Sequence, residues 1–263
     1  MIAEKYVDLS HGKTRYLEAG SGKPVILLHG VDFAAGGDRF QFVMEPLSQR
    51  FRAIAPDFVG WGLGDRFPGE YSFAYLVDFV REFQDGLGIE RSHIVGHSMG
   101  GWVATLFGYE SPNRVDKLVL LAAGGVAPRT LRSMTEFKPP SRDDIRDMLK
   151  RTVKVDVDFE ALADANYKKT QAPGALEAYR RILNHMNNGD NRQRYNTVRR
   201  LAHITPPTLV VWGDRDETNA LEMGQALEKG IPNAKLVVLP DTGHFLPTER
   251  PNELAKILID FLS

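Results

Sequence analysis

His93-Ile94-Val95-Gly96-His97-Ser98-Met99-Gly100-Gly101-Trp102 is the stretch on which the fold turns. A short apolar run leads in, and apolar and small residues through Phe107 lead out. This is strand, sharp turn, helix, with a serine at the apex. Gly96 and Gly100, two residues to either side of the serine, admit a turn that crowds out side chains. The turn holds the Ser98 hydroxyl in the open, and the helix N-terminus points at whatever the serine attacks. A bare G-x-S-x-G also fits an ordinary surface turn. The strand before it and the helix after it favour a nucleophile elbow.

Working outward, strands are expected over Tyr6–Leu9, Thr14–Glu18, Pro24–Leu28, Arg52–Ala55, His93–Val95 and Val115–Ala122. Helices are expected over Phe40–Gln49, Phe73–Gly86 and Ser98–Tyr109. The continuous apolar runs suit strands buried on both faces of a parallel sheet. The alternation stops near Val126 and resumes after Pro206-Pro207. Between them the spacing predicts helices near Arg142–Arg151, Phe159–Lys169, Ala175–Met186 and Arg192–Leu201, with Ser141 and Asp158 as caps. Thr208–Trp212, a helix over Leu221–Glu228, Lys235–Leu239 and an amphipathic helix over Pro251–Leu262 close the chain. The order predicts an α/β fold: a mostly parallel sheet flanked by helices, with a helical lid inserted after the sixth strand. Residues 1–125 and 205–263 form the core of this reading, and 126–204 the lid.

Composition narrows the function. Apolar residues make up 43% of the 263 and charged residues 25%, a globular balance with length for one large core and an insertion. A net charge of −1 gives no electrostatic case for a nucleic-acid or membrane partner. The absence of cysteine removes disulfides, thiolate metal sites and cysteine nucleophiles together. Glu4 and Lys5 stand where a signal peptide needs an apolar core, and the longest apolar run, Leu118–Ala127, is too short to span a bilayer. The expectation is a cytoplasmic protein acting on a small molecule without metal or organic cofactor. Nothing in the sequence sets an oligomeric state. Gly60-x-Gly62-x-Gly64 lacks the spacing of a dinucleotide fingerprint.

A serine hydroxyl needs a base held in one tautomer. His244 follows the last strand, at the sheet edge where the carboxyl ends of parallel strands gather. Asp214 and Asp216 both follow the strand ending at Trp212, and either supplies the acid. The oxyanion needs two donors. The N–H of Met99 follows the nucleophile, and that of Val31 lies in the loop after His29-Gly30. His97 and His29 read as packing or hydrogen-bonding residues. Phe33, Trp102 and Phe245 neighbour these positions and are candidate aromatic walls of a substrate pocket.

Five stretches resemble the α/β-hydrolase superfamily from about Val7 to the C-terminus. They are Val25–Gly30, Ala55-Pro56-Asp57 with Gly60-Trp61-Gly62, Val95–Gly101, Val211–Asp216 and Asp241–Phe245. The resemblance implies the acid three residues after the glycine of the Trp-Gly turn, which is Asp216, and leaves Asp214 a loop residue. Within the superfamily the sequence looks most like the meta-cleavage-product hydrolases, which cut carbon–carbon bonds in ring-opened aromatic dienoates. Ser98–Trp102, Leu121–Gly125 and the lid length carry that likeness. The elbow also resembles carboxylesterases and cofactor-free perhydrolases. The chain departs from the carbon–carbon hydrolases in three places. Val31-Asp32-Phe33-Ala34 replaces a glycine-rich loop, and His97 replaces an asparagine. Gln171 falls near the lid arginine that takes the substrate carboxylate, and Arg180 or Arg181 is the candidate substitute. Those departures set the expectation of a serine hydrolase cleaving small to medium carboxylic esters through an acyl-enzyme on Ser98. Carbon–carbon cleavage is the alternative. A ligand receptor with a slow or vestigial triad is the second alternative.

Overall fold

Among the described residues, the eight strands expected from the sequence form one sheet. The computed structural model describes residues 1–127 and 136–263. In chain order the strands are β1 (Ala3–Leu9), β2 (Gly12–Ala19), β3 (Lys23–Leu28), β4 (Phe51–Pro56), β5 (Ser92–His97), β6 (Val115–Leu121), β7 (Thr208–Gly213) and β8 (Lys235–Leu239). Their spatial order is β1-β2-β4-β3-β5-β6-β7-β8. β1 and β2 pair antiparallel, and β2 runs antiparallel to β4. All remaining pairings are parallel. β5 and β7 are buried along their whole length; Leu209–Trp212 of β7 is a continuous apolar run, whereas β5 also buries Ser92, His93 and His97 beside Ile94 and Val95. In register, Leu28 lies beside Gly96, and His97 beside Leu121. The carboxyl ends of β3, β5 and β6 therefore open on one edge, where ligand sites of open α/β sheets form.

The helices cover both faces. α1 (Gln41–Leu47) follows β3, α2 (Phe73–Gly86) follows β4, and α3 (Met99–Glu110) follows β5. α3 is apolar all round and nearly every residue is buried, which is why it carries no amphipathic stripe. Among the described residues, four helices stand between β6 and β7: α4 (Arg142–Thr152), α5 (Phe159–Thr170), α6 (Ala175–Asn187) and α7 (Gly189–Tyr195). Ser141 caps α4 in a capping box with Asp144, and Asp158 caps α5 through the N–H groups of Glu160 and Ala161. Gly174, at φ 73°, turns the chain into α6. α8 (Leu221–Gly230), α9 (Leu246–Glu249) and α10 (Pro251–Leu262) complete the fold. No helix among the described residues is long and apolar enough to cross a membrane.

One helix differs from its expectation. Instead of Arg192–Leu201, the chain forms α7 and then a 3₁₀ stretch over Val198–His203. Asn188 starts α7 by accepting from the Asn191 N–H, and Asn196 ends it. The Asn196 carboxamide accepts from the Val198 N–H and donates to the Val126 carbonyl, so local side-chain bonds compete with the helix ladder.

α4 and α5 share a small apolar cluster of Ile145, Leu149, Val153 and Ala163 with Ala34. Ala178, Tyr179, Ile182, Leu183 and Met186 of α6 join the main core instead. A buried ion network ties α5 to the sheet: Lys169 and Arg15 both reach Asp38, and Arg15 also meets Asp57.

Candidate active site

Ser98 sits between β5 and α3 at φ 55° and ψ −116°, a strained position for a residue with a Cβ. Packing holds it there. Its N–H donates to the Leu121 carbonyl, and its carbonyl accepts from the Trp102 and Gly124 N–H groups. The two glycines of the motif are required by close approach. A Cβ on Gly96 would stand 2.3 Å from the Gly100 oxygen, and one on Gly100 would stand 2.2 Å from the Leu28 oxygen.

The structure brings the three residues named from separate strand ends into one chain of hydrogen bonds. His244 Nε2 lies 3.0 Å from Ser98 Oγ, and His244 Nδ1 lies 2.8 Å from Asp216 Oδ2. A carboxylate only accepts, so Nδ1 carries the proton and Nε2 is left to accept from the serine. Asp216 is itself held: its Oδ1 accepts from the Thr218 and Asn219 N–H groups, each at 2.8 Å. Asn219 in turn donates to the Ala122 carbonyl and accepts from the Trp212 indole. Asp214 does not face His244. It accepts from the Thr242 N–H, as a loop residue would.

Two further groups brace His244. The Glu249 carboxylate accepts from the Gly243 and Phe245 N–H groups on either side of it. His97 Nε2 meets the His244 carbonyl at 2.8 Å. A carbonyl only accepts, so His97 donates from Nε2 and keeps a lone pair on Nδ1. Burial, followed by the neighbouring His244, pushes the His97 pKa well below its ordinary value and keeps the ring neutral. His29 is similarly neutral, pushed down to about 3 by burial. Its Nδ1 donates to the Gly30 carbonyl and its Nε2 accepts from the Phe58 N–H, so it braces the loop that follows.

Two cavities meet at Ser98. The larger, about 330 Å³, is walled by Met99, Trp102, Met186 and Met223 and has Arg192 and Val31 on its lining. The smaller, about 200 Å³, is lined by Val31, Asp32, Arg39, His97, His244 and Phe245. Trp102 and Phe245 thus each border a cavity. Phe33 borders neither: it is buried against Phe137 and Tyr179 and faces an outer depression. Gln171 and Arg180 line that same depression, and Arg181 binds the Pro68 and Gly69 carbonyls. The arginines at the two cavities are instead Arg39 and Arg192, neither of which local sequence reading singled out. Met99 opens α3, where a backbone N–H has no intrahelical partner, and Val31 borders both cavities.

Comparison with known proteins follows the same outline. The profile of the alpha/beta hydrolase fold family matches residues 23–251. The 2-hydroxy-6-oxo-6-phenylhexa-2,4-dienoate hydrolase of Comamonas testosteroni is 31% identical, over 99% of this chain and 94% of its own. The 2-hydroxy-6-oxononadienedioate/2-hydroxy-6-oxononatrienedioate hydrolase of Paraburkholderia xenovorans is also 31% identical, over 98% and 95%. Among solved structures, the meta-cleavage product hydrolase of Pseudomonas fluorescens superposes with a TM-score of 0.84 at 26% identity, covering 98% of this chain and 97% of that one. These relatives overturn the expectation of carboxylic ester hydrolysis. That expectation rested on the missing glycine-rich loop, on His97 and on Gln171. The departures are local, and the likeness to the dienoate hydrolases runs the length of the chain.

Proposed function

The chain belongs to the alpha/beta hydrolase fold family, and we propose that it hydrolyses a carbon–carbon bond in a 2-hydroxy-6-oxo-dienoate, a ring-opened aromatic acid, using Ser98, His244 and Asp216. The observation that carries this reading is the full-length likeness to enzymes named for that class of substrate. The hydrogen-bonded line from Asp216 to Ser98 supports it with a competent nucleophile.

In this reading Ser98 Oγ attacks C6 of the substrate while His244 takes the serine proton, and Asp216 holds and stabilises the imidazolium. The N–H groups of Met99 and Val31 receive the oxyanion. Carbon is a poor leaving group unless its electron pair is delocalised. Moving the proton of the 2-hydroxyl to C5 gives a 2-oxo-3-enoate tautomer. When the C5–C6 bond then breaks, the pair flows through the C3–C4 double bond into the 2-oxo oxygen, which takes the proton from His244. The five-carbon 2-hydroxydienoate departs, and C6 stays as an acyl group on Ser98. His244 next takes a proton from water, whose oxygen attacks the acyl carbon, and returns that proton to Ser98. The apolar cavity suits the substituent on C6, with Trp102 as its aromatic wall; Phe245 borders the other cavity. The segment 126–204 serves as the lid of a core formed by 1–125 and 205–263, contributing Met186 and Arg192 to the wall. Residues 128–135 of that segment lie outside the described residues.

The test is Ser98→Ala with 2-hydroxy-6-oxo-6-phenylhexa-2,4-dienoate. The wild type should release the five-carbon dienoate and benzoate in equal amounts. The variant should keep its fold and release neither. Undiminished release by the folded variant would refute the role of Ser98.

A further inference from the structure

We propose that the smaller cavity is a binding subsite for a 2-hydroxycarboxylate head group, in which Arg39 reads the carboxylate and His97 Nδ1 reads the hydroxyl. The inference rests on the function proposed above for its place in catalysis, but its geometry stands apart from turnover.

Arg39 is more than nine-tenths buried, yet it lines a cavity. Its Nη2 donates to Asp32. Among the described residues no acceptor engages Nε or Nη1, and neither is a sealed, unpartnered atom. Asp32 spends its other oxygen on the Ala34 N–H, so it fixes the guanidinium in place; burial lowers the Arg39 pKa only to about 10, so the group is charged at neutral pH. The Phe245 ring supports Arg39 from another side, with Cζ 5.7 Å from the ring centre. An oriented, buried guanidinium with free donors facing a cavity suits a planar oxyanion such as a carboxylate.

His97 supplies the second half. It is 96% buried by its 4% exposure, and Nε2 is committed to the His244 carbonyl. The remaining lone pair on Nδ1 lies beside Gly30, where an added Cβ would come within 3.3 Å of it. Gly30, His97 and Arg39 line the same cavity. A neutral imidazole nitrogen without a proton accepts from a hydroxyl and repels a carbonyl oxygen. The pair therefore selects an acid carrying a donor beside its carboxylate. The 200 Å³ of space equals about seven waters' share of liquid volume, enough for a five-carbon acid.

Arg192 is the rival cation, and its surroundings argue against that role. Its guanidinium donates to the Met186 and Ala127 carbonyls and stacks on Trp102. It is a wall of the apolar cavity. The arrangement places the acid end of the substrate on the Arg39 side of Ser98 and the C6 substituent on the Trp102 side.

Equilibrium titration followed by ligand-observed NMR tests this without any turnover. The probes are 2-hydroxypentanoate, pentanoate, 2-oxopentanoate and pentanamide. The wild type should bind pentanoate about 10- to 100-fold more tightly than pentanamide, the effect of a charged hydrogen-bonded pair. It should prefer 2-hydroxypentanoate over both pentanoate and 2-oxopentanoate by about 3- to 10-fold. Arg39→Gln should erase the gap between acid and amide and keep the hydroxyl preference, His97→Phe should do the reverse, and Arg192→Gln should change neither. Equal binding of acid and amide by the wild type, or loss of that gap in Arg192→Gln and not in Arg39→Gln, would overturn the proposal. If either cavity variant fails to fold, the wild-type series decides, because absence of either preference refutes the matching half. Head-group binding without dienoate cleavage would refute the proposed function and leave the subsite standing.

Discussion

His29→Gln should make folding stability less sensitive to acid, by an amount the structure sets. His29 is fully buried, its ring packs edge-on to Phe58 and Trp61, and both ring nitrogens are bonded. Burial lowers its pKa from 6.5 to about 3. Between those values the unfolded chain binds a proton that the native chain refuses. The stability His29 contributes is therefore complete above pH 6.5 and is lost as pH falls towards 3. At about 1.4 kcal/mol per pH unit, the loss reaches about 2 kcal/mol at pH 5. Glutamine can accept from the Phe58 N–H through its carbonyl oxygen and does not titrate. The variant should be less stable at pH 7.5, by about 1–3 kcal/mol for the lost ring packing. That deficit should shrink by about 2 kcal/mol at pH 5. Urea unfolding followed by tryptophan fluorescence at the two pH values reads the difference, and comparison with wild type cancels every other titrating group. A deficit unchanged between pH 7.5 and pH 5 would refute the assignment of His29 as a buried neutral base.

Two more substitutions probe the site. Asp216→Asn should lower kcat by about 10⁴-fold with the fold intact. The Thr218 and Asn219 N–H groups hold the carboxamide oxygen where Oδ1 was, so the amide NH₂ turns to His244 Nδ1. The imidazole must then carry its proton on Nε2 and cannot accept from Ser98; steady-state turnover of the dienoate and a circular dichroism spectrum check both halves. Gly100→Ala should destabilise the protein by about 3 kcal/mol, because its Cβ would lie 2.2 Å from the Leu28 oxygen and 2.5 Å from the His29 oxygen. Urea unfolding measures this, and wild-type stability would contradict the elbow packing.

The elbow, the sheet and the three aligned residues were legible because each rests on a short local signal. A buried strand reads as an unbroken apolar run, and the serine turn needs glycine at two fixed offsets. Chain order does the rest, since parallel strands bring Ser98, Asp216 and His244 to one edge. Arg39 and Glu249 were not legible. Arg39 matters only because Asp32 and Phe245, far apart in sequence, close around it. Glu249 matters only because a helical turn carries its carboxylate back under His244. Phe33 failed as a wall for the converse reason: nearness in sequence to the oxyanion loop did not aim its ring at Ser98. The ester expectation failed because three local departures were weighed as changes of chemistry. Arg39 at the smaller cavity shows that a cation near the nucleophile need not come from the helices between β6 and β7.

The measurement that bears most directly on carbon–carbon hydrolysis is kcat/KM for 2-hydroxy-6-oxo-6-phenylhexa-2,4-dienoate beside 4-nitrophenyl benzoate, which delivers the same benzoyl group to Ser98. With the acyl half identical, the two substrates differ only in the leaving half, and the ester carries the intrinsically better leaving group. A carbon–carbon hydrolase should show a higher kcat/KM for the dienoate, with benzoate as the common product of both. A higher value for the ester, or no carbon–carbon cleavage at all, would contradict it.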